Sequence, residues 1–141
     1  MEKTDIRTLV HENYAKGFHC AESVMKAVLA LNGSGGEAPA IRAASGLCGG
    51  IGRCKQDLCG ALSGGVLALG MLYGRDEGDG DIEKLCALSR EFRDGFINKF
   101  GSTNCGELIS IIEKNPKLEN CRALSAETAA LLHSILEQPG E

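Results

Sequence analysis

"LCGALSGGVLALGMLYG" (residues 58–74) is the stretch whose reading decides the fold. Its seventeen residues carry no charge, and five of them are glycine. Seventeen residues lie at the bottom of the range for a membrane-spanning helix. The glycines keep its hydrophobicity modest, and the flanking segments are amphipathic. It therefore reads as a buried central helix, predicted from about Gln56 to Tyr73. Gly60, Gly64 and Gly65, with Ala61 and Ala68, would let neighbouring backbones approach closely.

Outward from this element the pattern stays helical. Ile6, Leu9, Val10 and Tyr14 fall near one face of a helix over residues 4–16, with Thr4 as a cap. "AESVMKAVLAL" (21–31) gives a second helix, and Pro39 can start a short one to Ala44. After the solvated turn "GRDEGDGD", Asp79 or Asp81 can cap a helix from about Ile82 to Phe100. Leu85, Leu88, Phe92, Phe96 and Phe100 form its apolar stripe, and Gly101 ends it. Two more helices are predicted, over about Cys105–Lys114 and Cys121–Leu136, with Pro116 in the break. No run alternates as a strand would. The expectation is one all-α domain over residues 1–141, a bundle of five to seven helices around the Gly/Ala-rich central one.

Composition narrows the function classes. The chain has 141 residues, a net charge of −4, and Lys and Arg scattered among acids. Nucleic-acid binding needs a basic face and is disfavoured, as are anionic membranes. "MEKTDIRTLVHENYAKG" lacks the apolar core of a secretory signal, so a cytoplasmic location is expected. Seven cysteines in a reducing compartment point to metal binding or thiol chemistry rather than structural disulfides.

The cysteines are not placed at random. On the helix boundaries above, Cys20, Cys59, Cys105 and Cys121 each begin a helix. Helix-start N–H groups and the positive dipole end favour a thiolate or a metal-bound sulfur. Cys48 and Cys54 flank "GGIGR" and read equally as loop ligands or incidental thiols. Cys86, on the Leu85/Phe92 helix, reads as a packing residue. No CxxC pair marks a standard zinc module, and no CxxCH marks haem attachment.

Other motifs fail on detail. "GGIGRCKQD" lacks the Gly-Lys-Ser/Thr of a phosphate loop and no strand precedes it. The "DEGDGD" acids fail as an EF-hand because Lys84 stands where glycine is needed. His11, His19 and His133 have no nucleophile motif beside them. His19 adjoins Cys20, but neighbours on an extended segment point apart. His133, within "ALLHSIL", reads as a core or boundary histidine.

"CGALSG" at 59–64 fits C-G-A-x-x-G. With "GFHCAESVMKAV", "FGSTNCGELI" and "NCRALS", it resembles the C_GCAxxG_C_C family of redox-active proteins. The resemblance implies a small, mostly helical protein with signature cysteines Cys20, Cys59, Cys105 and Cys121. It is similar to the non-haem part of split-Soret cytochromes c, where such cysteines are linked with an iron–sulfur centre. Cys48, Cys54 and Cys86 are extra thiols.

Three functions stay open. One is a cluster or metal protein for electron transfer or redox sensing, with those four cysteines holding a 2Fe–2S centre or zinc. Gly60 and Gly64 would let backbone approach that centre. The second is a metal-free thiol–disulfide protein, with Cys59 as low-pKa nucleophile and Cys20 as its partner. The third is a non-catalytic helical adaptor. A redox partner is implied by the first two, and the glycine surface permits a homodimer.

Overall fold

The computed structural model describes residues 5–33 and 38–138. Thr4, the cap expected for the first helix, lies outside them. Seven α-helices and two 3-10 turns make up the described chain, with no strand among the described residues. The all-α expectation is met. None of the described helices is long and apolar enough to cross a membrane.

Helix α1 (Ile6–Ala15) starts at Asp5, whose carboxylate accepts the Arg7 N–H at 2.9 Å. Helix α2 (Cys20–Leu31) is buried over most of its length, from Ala21 to Leu29. Helix α3 (Ala38–Ala44) leads into a 3-10 turn, Ser45–Leu47. Helix α4 (Gly60–Tyr73) is the central element and makes its most extensive contact with α2. Helix α5 (Glu83–Phe100) buries Phe92, Phe96 and Phe100 and stops at Gly101, whose φ of 93° suits glycine. Helices α6 (Cys105–Lys114) and α7 (Cys121–Leu136) are each capped by an asparagine, Asn104 and Asn120.

Two departures from expectation are instructive. The central helix begins at Gly60 rather than near Gln56. The reason is a long-range pairing: Leu58 forms an antiparallel bridge with Asn104. The Cys59 N–H donates to the Thr103 carbonyl and the Cys105 N–H to the Asp57 carbonyl, both at 2.8 Å. The Asn104 side chain donates to the Gln56 carbonyl at 2.7 Å. These bonds hold residues 56–59 extended and set the starts of α4 and α6 side by side. Second, Cys86 is exposed, not the packing residue expected. It sits one position off the Leu85–Leu88–Phe92–Phe96 stripe, on the side of α5 that faces outward beside Met71 and Gly70.

The core is one contiguous cluster in which small side chains set helix separation. Gly64 lies directly against the Ala21 backbone, and Gly65 against the Phe92 ring. Bulk is supplied by Phe92, Phe96, Leu69 and Leu132, all fully buried. Arg7 ties α1 to α7 through Glu127 at 2.7 Å, with Lys99 of α5 on the same carboxylate. Together they hold the Glu127 carboxyl below its ordinary pKa, the Arg7 hydrogen bond contributing most. His133 stands at the boundary as expected, its Nε2 2.7 Å from the Glu137 carboxylate.

Candidate functional site

Cys20, Cys105 and Cys121 are the first residues of α2, α6 and α7, and Cys59 is the N-cap of α4. Four helices thus aim their N-terminal ends at one place. The four sulfur-bearing residues line a single cavity of about 420 Å³. That is the size of a small-molecule or cofactor site, far above the ~30 Å³ share of one water.

The loop between Cys48 and Lys55 forms one wall. Its backbone closes on itself through Gly52 to Gly46, Arg53 to Cys48 and Lys55 to Gly49, each N–H···O bond 2.9 Å. Cys48, buried, lines the cavity as a fifth cysteine. Arg53 and Lys55 line it too, and both sit at positive φ, 62° and 60°. Such a conformation costs a non-glycine residue ~1–3 kcal/mol and gathers at functional sites. Neither residue forms an ion pair with an Asp or Glu among the described residues. Arg53 instead reaches His19 Nδ1 at 3.4 Å. The opposite wall is apolar: Tyr14, Leu108, Ile112 and Leu124. The Tyr14 hydroxyl is held 2.9 Å from Ser125 Oγ.

Gly60 and Gly64 differ in role. A side chain at Gly60 would overlap the Cys20 sulfur and lie 2.9 Å from the Leu47 carbonyl oxygen, so glycine here lets Cys20 sit over the start of α4. Gly64, one turn on, does not line the cavity; it spaces α4 from α2. Gly106 plays a third part, admitting the Lys55 carbonyl against the start of α6.

The thiols are held protonated. Burial pushes Cys59 up to about 12, against the N–H groups of Ala61 and Leu62. Burial likewise raises Cys20, partly offset by the N–H groups of Gly49 and Ala21. Cys105 and Cys121 are raised by burial and by neighbouring thiols, with Lys55 pulling the other way. The helix-start effect expected from sequence acts in the right direction on Cys20 and Cys59, but desolvation outweighs it. As a free thiol, Cys59 is therefore not the low-pKa nucleophile that the thiol–disulfide alternative expects.

A stability test follows. The folded chain holds the Cys59 proton more tightly than the unfolded chain, whose thiols titrate near ~8.5. That contribution is complete below the unfolded value and is lost as pH climbs through about 9 toward about 12. Reduced, metal-free protein should unfold at lower urea concentration at about pH 10 than at about pH 7.5. In Cys59→Ser the drop should shrink. An equal drop in both proteins would place the burden on other groups.

The structure brings together all four expected cysteines. Cys54 is exposed, bonded to Asp57 and the Gln56 N–H, and does not line the cavity. His19 lines it as well as Cys20. No sequence signal marked Tyr14, Arg53, Lys55 or the α6 apolar wall.

The fit to a metal depends on its size. Among the described residues, no three His, Cys, Asp or Glu side chains converge as a set that could hold one ion. The four signature cysteines line a cavity of about 420 Å³ instead. Compared with known proteins, residues 18–135 match a family profile described as "Putative redox-active protein (C_GCAxxG_C_C)". No curated protein and no solved structure matches the chain.

Proposed function

We propose, from the premise that this chain belongs to the C_GCAxxG_C_C family of redox-active proteins, that its cavity holds a cysteine-ligated iron–sulfur centre used for electron transfer or redox sensing. The observation that carries this reading is the meeting of Cys20, Cys59, Cys105 and Cys121, from four separate helix starts, on one cavity. These four would be the ligands, and a 2Fe–2S centre is a form that four cysteines can hold. When bound, such a centre supplies a reversible redox couple whose potential follows charge, hydrogen bonding and exposure.

The surroundings support an anionic, multi-atom occupant. Four thiols in an apolar cavity resist ionisation on their own, and coordination to a metal removes that resistance. Arg53 and Lys55, which pair with no carboxylate among the described residues, bring positive charge to the wall. Backbone N–H groups of Ala61, Leu62 and Gly49 favour the charged form of the Cys59 and Cys20 sulfurs. Tyr14, Leu108, Ile112 and Leu124 give the cavity an apolar lining. A lone zinc ion is the weaker occupant, since among the described residues no three ligand side chains form a set that could hold one ion. Metal-free thiol–disulfide chemistry is a second reading. It is favoured by the closeness of Cys20 to Gly60, the residue after Cys59.

Anaerobic purification from iron-replete cells, followed by an absorption spectrum and metal analysis on one sample, tests this. Visible charge-transfer bands with about two irons per chain are expected. Cys20→Ser, Cys59→Ser, Cys105→Ser and Cys121→Ser should each lose most of the colour, and Cys86→Ser should keep it. Colourless, metal-free protein would sink the cluster reading and leave the thiol one.

A further inference from the structure

Helix α6 turns part of its apolar face to the cavity rather than to another helix. Cys105, Leu108, Ile109 and Ile112 recur at helical spacing, and all four line the cavity. An amphipathic helix ordinarily buries such a stripe against a neighbouring element. The extensive helix contacts of this molecule join α1, α2, α4, α5 and α7, whereas the main contact of α6 is with the short 3-10 turn Pro116–Leu118 that follows it. Leu108 and Ile112 reach the core, but Ile109 is only partly buried and stands outside the hydrophobic cluster. It is the residue of this wall that serves the cavity and not the core.

The wall made by the Cys48–Lys55 loop is charged, and with one sign. Arg53 and Lys55 line the cavity, with His19 beside Arg53. Among the described residues no Asp or Glu lines it. In a chain of net charge −4 this is a local reversal of sign. The carboxylates two residues from Cys20 and from Lys55 are turned to other partners. Glu22 accepts the His19 N–H at 3.0 Å and the Ser45 hydroxyl at 2.9 Å. Asp57 accepts the Cys54 thiol at 3.5 Å. A guanidinium fork matches a carboxylate, and an ammonium adds a point charge. Small-molecule sites are mostly apolar, with a few charged groups that fix orientation, and this cavity has that composition.

We propose that the cavity binds a small organic acid, a monocarboxylate with an apolar body. Arg53 and Lys55 take the carboxylate, and Leu108, Ile109 and Ile112 take the body. The two halves of the ligand answer the two walls: a head alone leaves the α6 stripe uncovered, and a body alone leaves two cations without a counter-charge. Ile109 is the position that selects the body. The binding rests on these walls and not on the cluster reading, which it goes beyond. An acid held here lies in the same cavity as the signature cysteines, next to whatever chemistry they carry.

Titration calorimetry on the full chain, purified anaerobically and kept reduced, tests this with hexanoate, phenylacetate and phenylbutyrate. At least one should bind with a Kd of about 1 mM or tighter. Its uncharged amide should bind about tenfold more weakly, for loss of a charge-assisted hydrogen bond. Acetate, the head without the body, should also bind about tenfold more weakly. Arg53→Gln combined with Lys55→Gln should weaken binding about tenfold or more, and Ile109→Ser about fivefold. All three positions are at least partly exposed, so these variants keep the fold. Arg90→Gln, which alters a different groove, should bind as the parent does. No binding of any of the three acids at about 10 mM, tenfold above the expected Kd, would overturn the proposal. So would an amide that binds as well as its acid, or an affinity that the Arg53 and Lys55 changes leave unmoved. Iron is measured on the same sample. Acid binding by an iron-free chain stands without the centre, and a coloured chain that binds no acid sinks this proposal alone.

Discussion

Gly64→Ala is expected to lose at least about 3 kcal/mol of stability, at the upper end of overpacking costs, and to populate unfolded chain near body temperature. The Cβ would overlap the Ala21 carbonyl oxygen and lie 2.7 Å from the Ala21 Cα and 2.8 Å from its carbonyl carbon. These are backbone atoms of a buried helix, so no side chain can swing aside. Relief requires α2 and α4 to separate, and theirs is the most extensive helix contact in the molecule. Alanine gains helix propensity over glycine by only about 1 kcal/mol. Against a total of ~5–15 kcal/mol, the net loss is large. Urea melts would read it, with Gly70→Ala as control. A side chain at Gly70 meets nothing within 4 Å, so that variant should be equal to the parent or slightly more stable. A Gly64→Ala midpoint close to the parent's would mean the two helices are not in backbone contact.

This prediction rests on a feature legible in the sequence. Gly60, Gly64 and Ala68 recur at helical spacing inside an uncharged run, and close approach is what such spacing permits. Local signals also placed α6 and α7 at the observed boundaries. Asn104 and Asn120 cap them, and the cysteines that follow open the first turn. What was not legible depends on pairing across the chain. Nothing near Gln56 announces that Leu58 will bridge to Asn104 and delay the central helix to Gly60. Nothing near Arg53 announces that a glycine-rich loop will turn its side chain toward sulfurs contributed by four other elements. Cys48 and Cys54 looked alike in sequence, six residues apart across "GGIGR". Only the loop's internal hydrogen bonds separate them, turning one inward and leaving the other exposed. Burial, too, is a tertiary quantity. It reverses the pKa expected from a helix start, because desolvation of a thiolate outweighs a few N–H groups.

The same geometry separates holding the fold from holding the site. Gly60, Gly64 and Gly65 lie within two turns of helix α4, but they touch different things. Gly64 touches backbone and Gly65 touches the Phe92 ring, both in the core. Gly60 touches the Cys20 sulfur at the cavity wall. One turn of helix therefore divides positions that hold the fold from one that shapes the cavity.

Under the proposed cluster reading, Gly60→Ala is accordingly expected to fold and to lose nearly all of the visible absorption of the proposed iron–sulfur centre. The new Cβ claims the space of the Cys20 sulfur, and that sulfur ends a side chain with one torsion, so it can rotate away. The Leu47 carbonyl oxygen, 2.9 Å from the Cβ, is a backbone atom of a short 3-10 turn, and that turn must shift to admit it. The folding cost should stay within about 2 kcal/mol, part of it offset by helix propensity. The cost to the site is greater, because a displaced Cys20 removes one of the four proposed ligands. Circular dichroism and a urea melt would report the fold, and iron per chain with visible absorption would report the centre. A variant that melts near the parent but lacks colour separates site from scaffold. A variant that keeps full colour would show that Cys20 need not stand over Gly60, and would remove Cys20 from the ligand set proposed here. Replacing Gly60 with serine should do the same harm, since the Cβ rather than the hydroxyl makes the clash.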